Sequence, residues 1–124
     1  MLDTATIHAY IPVSDVLRAR KFYEEKLGLK PKSMYAGGVT YECGGATVFM
    51  YPTPNAGTSK ASQAFWSVAD VDREIEALKA KGVVFEDYDL PGQKSASGAL
   101  TAGGAKAAWF KDSEGNIMAL IQTL

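Results

Sequence analysis

The four residues Val13-Ser-Asp-Val16 return as Val68-Ala-Asp-Val71, and this recurrence constrains the fold of the chain more than any other feature. Each copy follows an extended stretch, "TIHAYIPV" in the first case and "AFWSV" in the second, and each opens an amphipathic one. After the first copy, Val16, Ala19, Phe22, Tyr23 and Leu27 recur at helical spacing, and Gly28 with Pro31 stops them. Ser14 or Asp15 can cap that helix, which should span residues ~15 to 27. After the second copy, Asp70 can cap a helix over residues ~71 to 81, with Val71, Ile75 and Leu78 on one stripe and Gly82 just past its end.

Short strands cut by turn residues account for the remainder. "VTYEC" and "ATVFMY" flank Gly44-Gly45, while "AAWF" and "NIMALIQ" flank the longer turn "KDSEG". "PTPNAGTSKAS" reads as a linker. The small and polar residues of "GQKSASGALTAGG" read as a mobile loop, and a segment of that composition at about 92–104 could close over a cleft as a lid. Gly44-Gly-Ala46 also aligns with Gly103-Gly-Ala105. These matches, in the same order, point to an internal duplication of a strand-helix-three-strand module, with modules at about 1–55 and 60–124 in a single domain. The fold class is therefore α+β, with two βαβββ modules forming a curved mixed sheet around a cleft, where a ligand would sit.

The bulk numbers restrict the partners. Apolar residues make up 47% of the 124, enough for an ordinary core, and 13 basic residues against 14 acidic ones leave no electrostatic footprint for nucleic acid or an anionic membrane. No apolar run approaches the ~20 residues needed to span a bilayer, and the first residues do not have the pattern of a secretory signal. The lone cysteine, Cys43, has no partner for an internal disulfide. These readings place the protein in the cytoplasm, acting on a small molecule or on another protein chain.

The opening "IHAYIPVSDVLRARKFYEEKLGLKP" and the closing "AAWFKDSEGNIMALIQ" resemble the vicinal oxygen chelate superfamily, which includes glyoxalase I, extradiol dioxygenases, fosfomycin resistance enzymes and bleomycin-binding resistance proteins. The resemblance spans essentially the whole chain. It implies the fold strongly and the function weakly, because unrelated activities share this scaffold. In the family's metalloenzymes a divalent ion is held from the first and last strand of each module. Carried onto this chain, those positions are His8, a place at about Phe49 or Met50, Gln63 and Ala119. His8 is a good ligand, Gln63 a weak one, and Ala119, where a glutamate is usual, is none. The resemblance thus implies no metal cofactor, and no catalytic residue is assigned.

The cleft is then expected to be lined for binding. His8 and Tyr10 share one face of their strand by parity, as do Gln63 and Phe65, and Tyr41 and Cys43 share a face of theirs. With Phe49, Trp109 and Ala119, and with Tyr51 alongside, they make a candidate ligand-binding set suited to a planar, mostly apolar compound. Cys43 is read as an inert thiol and Glu42 as a solvated side chain. The function so implied is metal-independent binding of a small hydrophobic or aromatic compound by a homodimer, as in drug-sequestering resistance proteins. The alternative is a lyase or isomerase of glyoxalase type working through a weak metal site at His8 and Gln63, and a third possibility is an accessory subunit that serves assembly alone.

Overall fold

A computed structural model describes residues 1–124. Strand β1 (Ala9–Val13) leads into α1 (Val16–Arg20), and the Asp15 carboxylate caps that helix by accepting from the Arg18 amide at 3.1 Å. The helix continues beyond α1 as a π-helical segment, Lys21–Lys26, where Leu27 N–H reaches back to Phe22 O at 3.1 Å. Strands β2 (Pro31–Tyr35), β3 (Gly38–Cys43) and β4 (Ala46–Pro52) complete the first module. The second module has β5 (Ser62–Ser67) and α2 (Val71–Ala80), then β6 (Gln93–Lys94), β7 (Leu100–Ala102), β8 (Ala105–Lys111) and β9 (Ile117–Thr123). Asp70 caps α2 on the Arg73 amide at 3.1 Å, matching Asp15.

The two modules share one topology. Strand order is β1-β4-β3-β2 in one sheet and β5-β9-β8-β7-β6 in the other, and in both the first strand runs parallel to the last. A parallel pair needs a crossover connection, and the helices supply it. Register fixes the equivalences: Tyr10 pairs with Phe49 as Phe65 pairs with Ala119. It also corrects one sequence match. Gly44-Gly45 joins β3 to β4, whereas Gly103-Gly104 joins β7 to β8, so the true counterpart of the Gly-Gly turn is the β8–β9 turn around Asp112–Asn116.

Alternation along the strands sends one face of each sheet into a single core. Ile11, Val13, Val39, Tyr41 and Met50 from the first module meet Phe110, Met118, Leu120, Val71 and Ile75 from the second. Phe110 sits among Phe22, Trp66 and Phe85, with ring centroids at 6.3, 6.1 and 5.5 Å. The β8–β9 turn adds a polar clamp. Asp112 accepts from the Tyr23 hydroxyl at 2.5 Å, and Asn116 Nδ2 donates to Pro12 O at 2.7 Å. Glu114 Oε1 accepts from the Ser14 and Asp15 amides at 3.0 and 2.9 Å, and Oε2 accepts from Arg18 Nε at 2.8 Å. Burial alone would raise the Glu114 carboxyl, but Arg18, the Asp15 amide and the Ser113 and Ser14 hydroxyls outweigh it and hold it at about 2.

The segment read as a mobile loop is ordered differently. It carries β6 and β7, and its Ser95 and Ser97 hydroxyls donate to Asp72 of α2, which also pairs with Lys106. Lys79 adds a bond to Ser97 O at 3.0 Å. The segment is therefore fastened to the helix side of the second sheet, and a lid over the opposite face is not what it forms. Its small, polar residues are the ones whose hydroxyls and turns make that attachment.

Candidate functional site

The faces of the two sheets turned away from the core carry most of the candidate residues. On the first sheet, Tyr10 of β1 and Phe49 of β4 are register partners, with ring centroids 5.8 Å apart. Tyr51 packs on Tyr10 at 4.6 Å and Tyr35 on Phe49 at 5.6 Å. His8, Tyr10, Tyr35, Thr40, Thr47 and Phe49 line an open groove of about 330 Å³. Three aromatic rings, one imidazole and two threonine side chains line it. Tyr10, near the start of the edge strand β1, keeps 61% of its surface exposed.

On the second sheet the same register builds a row of different shape. Phe65, Ala119 and Trp109 lie side by side across β5, β9 and β8. Phe65 is 58% exposed while Ala119 between the two large rings is only 2% exposed. Tyr88 leans on Trp109 edge-on at 5.6 Å. Gln63 reaches from β5 to β1, its Nε2 donating to Tyr10 O at 3.5 Å, so its amide ties the two modules together at their edge strands. Within the chain the first groove takes no residue from the second row.

Two candidates are not brought to these faces. Tyr41 and Cys43 do share a face, but it is the core face. Tyr41 is fully buried, donates its hydroxyl to Glu24 Oε2 at 2.7 Å and packs on Tyr23, and burial raises its phenol well above the ordinary range. Cys43 faces Ile11 and Trp66 across the module junction, where burial pushes its thiol up. The reason is register: Thr40, not Tyr41, pairs with Phe49, so the whole strand is turned one residue from the expected facing. Conversely, Tyr35, Thr40, Thr47 and Tyr88 join the open faces without having been singled out. Thr40 and Thr47 could have been found from their parity with Phe49 once the β3–β4 register was known; Tyr88 follows no pattern and arrives through a loop.

The profile of the Glyoxalase/Bleomycin resistance protein/Dioxygenase superfamily matches residues 5–120. The chain belongs to that superfamily. Solved structures agree on the fold. A glyoxalase family protein from Bacillus anthracis superposes with a TM-score of 0.75 at 17% identity, covering 98% of this chain and 96% of that one. The fosfomycin resistance protein FosX from Listeria monocytogenes gives 0.72 at 14% identity, with 98% and 94% covered. TnmS3, an antibiotic binding protein from Streptomyces sp. CB03234, gives 0.70 at 22% identity, with 98% and 99% covered. None of the curated proteins matches the chain significantly.

Against the metal that some members of the superfamily carry, the donor set can be tested directly. Of Phe49 and Met50, it is Phe49 that is the topological counterpart of Ala119. The four positions then hold one imidazole, one amide engaged with a backbone carbonyl, a phenyl ring and a methyl group. No group of three or more His, Cys, Asp or Glu side chains converges anywhere in the chain. A catalytic divalent ion needs about three protein ligands, so these residues do not fit one. What the arrangement can do is stack on flat apolar surfaces and exchange hydrogen bonds at their rims.

Proposed function

We propose that the protein binds a small hydrophobic or aromatic compound, without a metal, in a cleft that two copies of the chain complete in the cytoplasm. The carrying observation is the pair of solvent-open aromatic rows, Tyr10–Phe49 on one sheet and Phe65–Ala119–Trp109 on the other. Exposed aromatic surface of that extent marks a binding or association face, and each row is half of a cleft. A planar ligand held between them would stack on Tyr10 and Phe49 from one side and settle into the hollow over Ala119 from the other, with His8 and Thr47 at hydrogen-bonding distance from polar substituents. Sequestration requires affinity alone, so the missing donor set is no obstacle. The likeness to an antibiotic binding protein and to a fosfomycin resistance protein supports a small-molecule role for this fold. No helix is long and apolar enough to cross a membrane.

A thermal-shift screen against planar aromatic compounds tests this, since a ligand that binds only the folded state raises stability by RT ln(1 + [L]/Kd). Compounds that stabilise the protein should lose about tenfold in affinity with Tyr10→Ala, the effect of removing one stacking ring. Sedimentation should give a dimer. Metal analysis of protein purified without chelator supplies the opposing result: stoichiometric Ni, Zn, Mn or Fe that disappears in His8→Ala would replace this reading with the lyase or isomerase one.

A further inference from the structure

The two junctions at which a hairpin turn meets the opposite module are equivalent by topology and unequal in filling. At one, the β8–β9 turn inserts Asp112, Glu114 and Asn116 against the end of β1 and the start of α1. At the other, the β3–β4 turn is only Gly44-Gly45, both with positive φ (54° and 86°), and a Cβ added at either would meet nothing within 4 Å. Where side chains would correspondingly reach the end of β5, a groove of about 420 Å³ remains. Ile11, Cys43, Val48, Phe65, Trp66 and Met118 are among the residues that line it, and no charged residue does.

We propose that this groove is a second binding site, on the opposite face of β1 and β4 from Tyr10 and Phe49, and specific for an uncharged fused-ring hydrocarbon. The volume falls within the range of small-ligand sites, about 300–1,000 Å³. The absence of any lining charge excludes anions and cations, whose desolvation nothing there would offset. The only polar side chains lining it are those of Cys43, Ser67 and Trp66, which favour a ligand with at most one hydroxyl. The site lies on the core face of β1 and β4, through Ile11 and Val48, whereas the cleft uses Tyr10 and Phe49 on the other face of the same strands. Tyr10 and Phe49 are therefore outside the groove, and Phe65 is the one residue it shares with the aromatic rows.

Cys43 is the only cysteine in the chain, so its alkylation reports on this groove alone. Naphthalene is the probe, and the iodoacetamide reaction of the full-length protein at pH 9 is the readout. Saturating naphthalene should slow alkylation by at least about fivefold, because thiol reactivity follows access as well as thiolate fraction. Ala46→Phe, at the groove's rim, should slow the reaction without naphthalene and abolish the response to it; Val48→Phe should do the same and serves if the first variant folds poorly. Tyr10→Ala, which damages the cleft, should leave the naphthalene response intact. An alkylation rate indifferent to naphthalene, or a response lost equally in Tyr10→Ala, overturns the proposal. Protection that depends on protein concentration and not on naphthalene assigns the groove to a second copy of the chain and overturns it as well.

Discussion

Two turns in this molecule hold equivalent places, and they differ in almost every physical respect. The β3–β4 turn, Gly44-Gly45, reverses the chain without side chains, and a Cβ added at either glycine would meet nothing within 4 Å. The β8–β9 turn reverses the chain too, but its Asp112, Glu114 and Asn116 are buried and bonded to β1, to the start of α1, to Tyr23 of the π-helical segment and to the linker. A duplicated fold therefore need not be held by duplicated contacts. One junction is locked by hydrogen bonds across sequence separations of 89 to 104 residues, and the other rests on apolar packing with a groove left in it.

The comparison breaks most visibly at Asp112. Its carboxylate accepts from the Tyr23 hydroxyl, the Glu114 and Asn116 amides and Asn116 Nδ2, so Asp112→Ala leaves several buried donors without partners. We expect a loss of about 3–5 kcal/mol in urea unfolding. Asp70→Ala, which removes an exposed helix cap from the other junction, should cost about 1 kcal/mol. Equal losses would mean that the clamp contributes no more than a cap.

This clamp also shows how far the sequence can be read. The helices at 16–26 and 71–80, their aspartate caps and the two long hairpins were legible because apolar spacing and turn residues are local signals. The "KDSEGN" turn was legible as a turn. Its role was not, because nothing local says that Glu114 will meet Ser14 and Arg18. The candidate site divides in the same way. Parity puts His8 with Tyr10, and both line the open groove, whereas the parity of Gln63 with Phe65 is interrupted by a register shift between Ser62 and Ala64. The facing of β3 depends on its register with β4, and for that reason Tyr41 and Cys43 fall on the core side. The attachment of Ser95 and Ser97 to Asp72 was hidden behind a composition that reads as mobile.

Acid sharpens the contrast next. Because the Glu114 carboxyl is held at about 2 in the folded protein, against about 4.5 when free, the folded state binds that proton less readily than the unfolded one. A depressed carboxyl contributes stability that is fully present above the unfolded value and lost as pH falls towards the folded one. Stability should therefore be level above pH ~5 and fall by about 2–3 kcal/mol between pH ~5 and pH ~2 from this group. Glu114→Gln should flatten that part of the profile while lowering the plateau. A variant that keeps the wild-type slope would assign the acid sensitivity elsewhere, first to Asp72, which Lys106, Ser95 and Ser97 also hold at about 2.

A pair of glycines separates backbone contact from backbone strain. Gly57 of the linker has φ +72° and donates its N–H to Asn116 Oδ1 at 3.1 Å, and a Cβ there would come within 2.3 Å of Glu114 O. Gly44 has φ +54° and open space around it. Alanine at either position carries the left-handed conformational cost, about 1 kcal/mol, so that cost cancels in the comparison. Gly57→Ala must in addition push the linker off the β8–β9 turn, and should lose about 2–3 kcal/mol in all. Gly44→Ala has only the conformational cost to bear and should lose about 1 kcal/mol. The difference between the two, read from urea midpoints at constant slope, measures how much the close approach of linker and turn adds to the clamp. If the two variants are equally destabilised, that approach adds nothing, and the asymmetry between the junctions reduces to the hydrogen bonds of Asp112, Glu114 and Asn116.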